Sequence, residues 1–412
     1  MACPYNSHIP STRLVMRKRF FAALVVLTGC APPVTTGKLM PASAGPASTA
    51  PASAAASASA TPPVTATSGA LPSQLSDADF WKLQADLSEP GGYFRIEDNY
   101  TSNEMEVGQV FTMLRDRKIA GDVYLGVGPE QNFSYIAAIR PKMAFIVDIR
   151  RQAAVQHLMF KAVFEMARDR ADFISLLFAK PRPAGLDSTT SIQALWEAYR
   201  TASTDSVLGA RNYARIVDQL TKVRHFDLTA DEMAKLKAVY DAFFYYGPSI
   251  TTRGMAAGRG GDFAALTGYS YDNGGQPRSF LSSEENYRYV KSLHDRNLIV
   301  PITGDFGGPK ALRAIASYLK AHDGIVRAFY VSNVEQYLFG DAADRAFYGN
   351  VATFPVDAAS VFIRPYSMRR YGYGGGAGSN TGVESLCPIQ PFIVAAMAGR
   401  VTSNDAALAC VR

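Results

Sequence analysis

The stretch from Val123 to Arg151, VYLGVGPEQNFSYIAAIRPKMAFIVDIRR, constrains this chain of 412 residues more than any other segment. An apolar run over 123–127 ends in a glycine turn, a helical pattern covers 132–139, and Pro141 falls where that helix has ended. A second apolar run over 143–149 carries an acid, Asp148, near its end. Strand, turn, helix and strand in this order predict two parallel strands with a ligand crevice at their C-terminal ends. Gly126 and Gly128 let the backbone approach a ligand, and the helix N-terminus offers free N–H groups. The Asp148 carboxylate then accepts from ribose hydroxyls. The segment points to a nucleoside-like or other small ligand.

The alternation resumes further along. A helix is expected over 283–296, a buried strand over 298–306, a helix over 310–321 and a strand over 326–331. A helix from Val334 to about Phe347 and a strand over 360–366 close the pattern. Shorter helices fit 76–87, with Ser76 as N-cap, and 106–117, and a long amphipathic one fits 153–167. Residues 93–104 are polar and extended, and Tyr100, Asn103 and Glu104 are placed to fold over the crevice. Residues of about 170–250 carry helical patterns only, including a Thr229–Glu232 capping box, and form a helical insertion. About 250–278 reads as a Gly-rich loop. The predicted class is α/β, a mostly parallel sheet with helices on both faces and a large helical insertion, spanning residues 73–412.

The beginning of the chain is a different kind of sequence. Arg17, Lys18 and Arg19 precede an apolar run, Phe21 to Gly29, too short to span a bilayer. Leu27-Thr28-Gly29-Cys30 resembles the lipobox of bacterial lipoproteins, which implies that residues 1–29 are a signal peptide, with Met1 or Met16 as the start. It also implies a lipid on Cys30, a membrane anchor, and a folded domain in the cell envelope, in the periplasm or at the surface. Residues 30–72 are Ala-, Pro- and Ser-rich with Lys38 as the only charge, a composition that cannot offset the entropy of ordering and predicts a flexible tether. Losing the leader's four basic residues lowers the formal charge from +6 to +2, which argues against nucleic acid as a partner. Two cysteines remain, Cys387 and Cys410, which either pair in an oxidising compartment or stay as separate buried thiols. The five histidines are scattered without metal-ligand spacing, so no metal is expected.

Four landmarks in order resemble the class I S-adenosylmethionine-dependent methyltransferases, a Rossmann-like family. Gly126-Val127-Gly128 follows the first strand, Asp148 ends the second, Gly304-Asp305-Phe306 ends the third, and Ser332-Asn333-Val334-Glu335 follows the fourth. The phrases LGVGPEQNFSYIA, FIVDIRR, VPITGDFGGPKALRA and FYVSNVEQYL are also similar to a family of uncharacterised bacterial proteins with a methyltransferase-like fold, over about residues 90–366. The resemblance implies S-adenosylmethionine or a related nucleoside as cofactor. Gly126, Gly128, Glu130 and Gln131 would shape the loop, Asp148 would bind hydroxyls, and Asp305 and Phe306 a ring. Asn333 and Glu335 would face the reacting partner as candidate catalytic residues.

Two positions depart from that pattern. Tyr124 stands where the family carries an acid for the ligand's amino group, and Glu130 replaces the third glycine. Plainer roles exist for each landmark: Asp148 as a cap for the helix near Arg151, Asp305 and Asn333 in Asx-turns, Arg364 in an ion pair. Three functions therefore stay open: an envelope lipoprotein that binds a small ligand at its strand ends, a non-catalytic binding or scaffold module on the same fold, and an active methyltransferase if the chain is cytoplasmic.

Overall fold

Runs of valine, isoleucine and phenylalanine bounded by glycine, proline or aspartate build the strands of the computed structural model. It describes residues 69–96, 98–105, 107–254, 261–364 and 385–411. The leader, Cys30, most of the tether and the Gly-rich run at 371–378 lie outside them. The strands are β1 (Val123–Gly126), β2 (Met143–Asp148), β3 (Ile299–Thr303), β4 (Val326–Tyr330), β5 (Val361–Ile363) and β6 (Leu386–Pro388). They form one sheet in the order β3-β2-β1-β4-β5-β6, parallel except for β6, which runs against β5. Leu125 of β1 lies between Phe145 of β2 and Phe329 of β4. Every residue of β1, β2 and β3 is buried, so both faces of the sheet are covered, as continuous apolar strands require. This is a mixed α/β, Rossmann-like architecture.

The helices are α1 (Asp77–Leu87), α2 (Gly108–Asp116), α3 (Gln131–Ile139), α4 (Arg151–Met166), α5 (Arg170–Phe178), α6 (Ile192–Thr201), α7 (Ser206–Asp218) and α8 (Ala230–Tyr246). They continue as α9 (Phe263–Gly268), α10 (Glu284–Asp295), α11 (Ala311–Ala321), α12 (Val334–Gly340), α13 (Asp344–Val351), α14 (Ile389–Met397) and α15 (Asn404–Leu408). Local chemistry explains several starts: Ser76 accepts from the Asp79 N–H, and Thr229 and Glu232 form the expected capping box. Helices α5 to α8 make the helical stretch, and a π-turn over Gln219–Val223 ends α7. Among the described residues no helix is long and apolar enough to cross a membrane.

Three expectations need correction. The loop of about 250–278 contains α9, whose N-cap Asp262 accepts from the Ala265 N–H. The single helix after Val334 is two, because Ala342 sits at φ +55° between α12 and α13. The third is β6, a strand of three residues that extends the sheet beyond β5. Cys387 on β6 forms a disulfide with Cys410 beyond α15, so the last helices are fastened to the sheet edge.

Candidate functional site

In the order β2-β1-β4, the chain leaves β1 towards one edge of the sheet and reaches β4 on its other side, which makes the β1–β4 border a natural crevice. A cavity of about 280 Å³ lies there. Its walls come from the ends of four strands: Val127 to Pro129 after β1, Asp148 to Arg150 after β2, Gly304 to Phe306 after β3, and Tyr330 with Ser332 to Val334 at β4.

The outer wall is a strap formed by residues 88–96 and 98–104, none of which lies in a helix or strand. The Glu89 N–H donates to the Thr303 carbonyl (2.8 Å), Gly92 to Ile149 (2.9 Å) and Tyr100 to Thr252 (3.0 Å). The Ser102 N–H then reaches the Glu130 carboxyl (3.1 Å), and Glu104 accepts from Tyr330 and Ser332. The strap thus crosses the strand ends in sheet order, from β3 to β4. Of the residues expected to fold over the crevice, Asn103 lines the cavity and Glu104 is bonded to two residues that do. Phe94 adds an aromatic wall, meeting Tyr337 edge-on at 4.9 Å.

The glycine turn is organised by a residue the sequence did not single out. Asn132 is fully buried, and its amide nitrogen donates to the carbonyls of Val127 (3.0 Å), Gly128 (3.0 Å) and Pro129 (2.7 Å). Its oxygen accepts from the Tyr124 hydroxyl at 2.9 Å. A Cβ on Gly126 would stand 1.9 Å from that oxygen, so Gly126 makes room for Asn132 and does not line the cavity. Gly128 does line it, at φ +75° with open space where a side chain would go. The buried His157 places Nε2 2.8 Å from the Gly128 carbonyl, and burial lowers its pKa to about 4, so the ring is neutral and donates.

Glu130 and Gln131 are buried beside this turn, outside the cavity lining. Burial raises the Glu130 carboxyl to about 8, against the opposing bond from Ser102. The carboxyl therefore holds the strap and does not point a charge at a ligand.

Of the strand-end residues, Asp148, Asp305, Phe306 and Asn333 converge on the cavity. Their chemistry differs from expectation in part. Asp148 is clamped by Arg150, whose Nε donates to Oδ1 (3.0 Å) and Nη2 to Oδ2 (2.7 Å), while the Arg150 N–H also donates to Oδ1. It does not cap α4, whose N-cap is Arg150. Asp305 accepts from the Gly307 N–H at 2.9 Å in an Asx-turn. Phe306 lines the cavity and is buried, its ring stacked on Phe347 at 5.4 Å and tilted against Phe329 at 5.3 Å. Asn333 is the N-cap of α12, makes no side-chain capping bond there, and lines the cavity.

Glu335 is elsewhere. Two residues further along a helix is a rotation of about 200°, and it turns this side chain into the core. There it pairs with the fully buried Arg364 (Nε to Oε2 2.6 Å, Nη2 to Oε1 2.9 Å) and accepts from Tyr348 (2.8 Å). Arg364 therefore has the ion-pair role. Ser332, in the landmark after β4, also lines the cavity, as do Tyr330, Tyr337 and Thr252, which carried no sequence signal beyond lying near a strand end or in a loop. Among the described residues no three His, Cys, Asp or Glu side chains converge as metal ligands do.

No curated protein matches this chain. A family model described as Domain of unknown function (DUF7790) matches residues 100–231 and 267–390, which include β1 to β6, the end of the strap and most cavity walls. That is more than half of the chain, which therefore belongs to the DUF7790 family.

Proposed function

We propose that the folded domain binds a small, ring-bearing ligand of nucleoside-like kind at its strand ends, and that it does so in the cell envelope on a lipid anchor at Cys30. The observation that carries the binding reading is the cavity at the β1–β4 border, walled by four strand ends and closed by the strap. The envelope reading is supported by the leader and by the Cys387–Cys410 disulfide, a bond that persists in oxidising compartments.

The test is calorimetry and thermal shift on the full chain with S-adenosylmethionine, S-adenosylhomocysteine, adenosine and nucleotides. A binder at one hundred times its Kd raises stability by about 2.7 kcal/mol. Asn333→Trp fills the cavity from its wall and should abolish binding with little change in melting temperature. No binding by wild type, or equal binding by the variant, overturns the reading. Palmitate labelling at Cys30 and globomycin-sensitive processing test the anchor, and absence of both removes it.

A binding module without catalysis is the second reading, favoured over methyl transfer by one arrangement. Of the two acids that the methyltransferase resemblance assigns to S-adenosylmethionine, one is replaced by Tyr124 and the other is clamped by Arg150. Methyl-labelled donor incubated with the full chain and envelope extract should leave no labelled product on this reading.

A further inference from the structure

Two hydroxyls on the cavity wall, Tyr330 and Ser332, donate to the same oxygen of Glu104, at 2.7 and 2.6 Å. A hydroxyl has one proton to give. With both protons committed behind the wall, these oxygens offer only lone pairs to a ligand. Ser332 is held for this at φ +46°, a left-handed conformation that serine seldom adopts.

The groups behind the wall are not fully satisfied. Among the described residues Glu104 Oε2 is buried without a hydrogen-bond partner, and so is the hydroxyl of the fully buried Tyr135, whose ring packs 4.9 Å from that of Tyr330. Burial raises the Glu104 carboxyl above its ordinary range, so a nearby cation would stabilise its charged form. Neither Glu104 nor Glu130 forms an ion pair among the described residues. Among the described residues the charges on the lining are Asp148, Asp305 and Asp341 against Arg150, which is already bound to Asp148. Aromatic rings complete the walls, and their faces attract cations.

We propose that the ligand of this cavity carries an ammonium group that donates to Ser332 Oγ and Tyr330 Oη, with Glu104 as the positioning residue that fixes the polarity of both. This rests on the reading that the cavity binds a small ligand. An ammonium brings three donors and a charge to a wall of acceptors, whereas an anion or an acceptor-only group meets lone pairs and carboxylates.

The test compares amines with matched alcohols on the full chain: tryptamine with tryptophol, and 5′-amino-5′-deoxyadenosine with adenosine. Wild type should bind the amine of each pair at least tenfold more tightly. In Glu104→Gln, which keeps the shape and removes the charge, that ratio should fall to within twofold. Ser332→Ala, a smaller change, should lower amine affinity severalfold and serves if the first variant does not fold. Alcohols binding as tightly as amines, or an amine preference that survives in both variants, overturns the charge assignment and leaves the cavity reading standing. Failure of all four probes together with the nucleoside panel removes both.

Discussion

The Tyr124 hydroxyl donates to Asn132 Oδ1 across 2.9 Å, and this one bond decides which way the Asn132 amide faces. Its nitrogen is thereby turned onto three successive carbonyls of the glycine turn. Asn132→Leu keeps the volume and removes every donor. Val127 would lose the bond that the Asn132 amide supplies and the Tyr124 hydroxyl its acceptor, while Gly128 keeps His157 and Pro129 keeps the backbone N–H of residue 132. We expect a loss of about 2–4 kcal/mol, since each orphaned buried group costs roughly 1–3 kcal/mol. Urea denaturation measures it, and a change below about 1 kcal/mol would refute the role.

The two glycines of the turn should respond differently to alanine. Gly126→Ala drives a methyl against Asn132 and Tyr124 and should destabilise by about 1–3 kcal/mol through overpacking. Gly128→Ala meets no atom and is strained only by its φ of +75°, a cost of about 1–2 kcal/mol. Ligand affinity should fall mainly in the second, whose new methyl group is at the cavity. Denaturation and calorimetry on both variants separate the effects.

Stability should decline from pH 6.5 to 8. The Glu130 carboxyl is raised from 4.5 to about 8, so its contribution is complete below the lower value and is lost as pH rises through the upper one. His157 is lowered from 6.5 to about 4, and the buried His294 is lowered too, so their contributions are complete above 6.5 and are lost as pH falls. The two trends oppose each other between 4.5 and 6.5, and above 6.5 the acid acts without that opposition. One group gives a slope of at most about 1.4 kcal/mol per pH unit. Glu130→Gln should flatten the alkaline side, as read from melting temperature against pH. An unchanged slope counts against the assignment.

Glu335 should matter for stability and not for binding. Glu335→Ala leaves the Arg364 guanidinium buried without its carboxylate, at a cost of about 3–5 kcal/mol. If the variant is kept folded at low temperature, ligand affinity should match wild type. A selective loss of affinity would return Glu335 to the site.

Replacing Cys387 and Cys410 by serine opens a loop with a sequence separation of 23 and should lower stability by about 3 kcal/mol. Reductant should lower the wild-type melting temperature and leave the double variant unchanged. Equal melting of the two proteins without reductant would show that the crosslink contributes nothing.

Much of the sheet was legible because β1 to β5 are apolar runs punctuated by Gly, Pro and Asp, and parallel pairing needs no finer signal. β6 escaped because Leu-Cys-Pro is too short to carry a period. The convergence of Asp148, Asp305 and Asn333 was legible too, since each follows a strand and strands in one parallel sheet end at one edge. What their side chains do was not. Arg150 lies two residues from Asp148, and nothing in the sequence says whether it folds back onto the carboxylate or turns to solvent. Glu335 was misplaced because adjacency along the chain does not survive the rotation of a helix. The strap's position over the crevice was legible from Tyr100, Asn103 and Glu104, but its partners were not, because they are single groups on distant strand ends.

The strap gives the cavity an unusual position in the order of synthesis. Glu104 is made 228 residues before Ser332, the group it bonds across the crevice. Residues 88–104 must therefore wait, unpaired, while every strand they will cross is still to come. Closing so long a loop is entropically costly and slow. The pocket is consequently among the last features to assemble, and a chain stopped short of β4 can possess three ordered strands and still have no pocket.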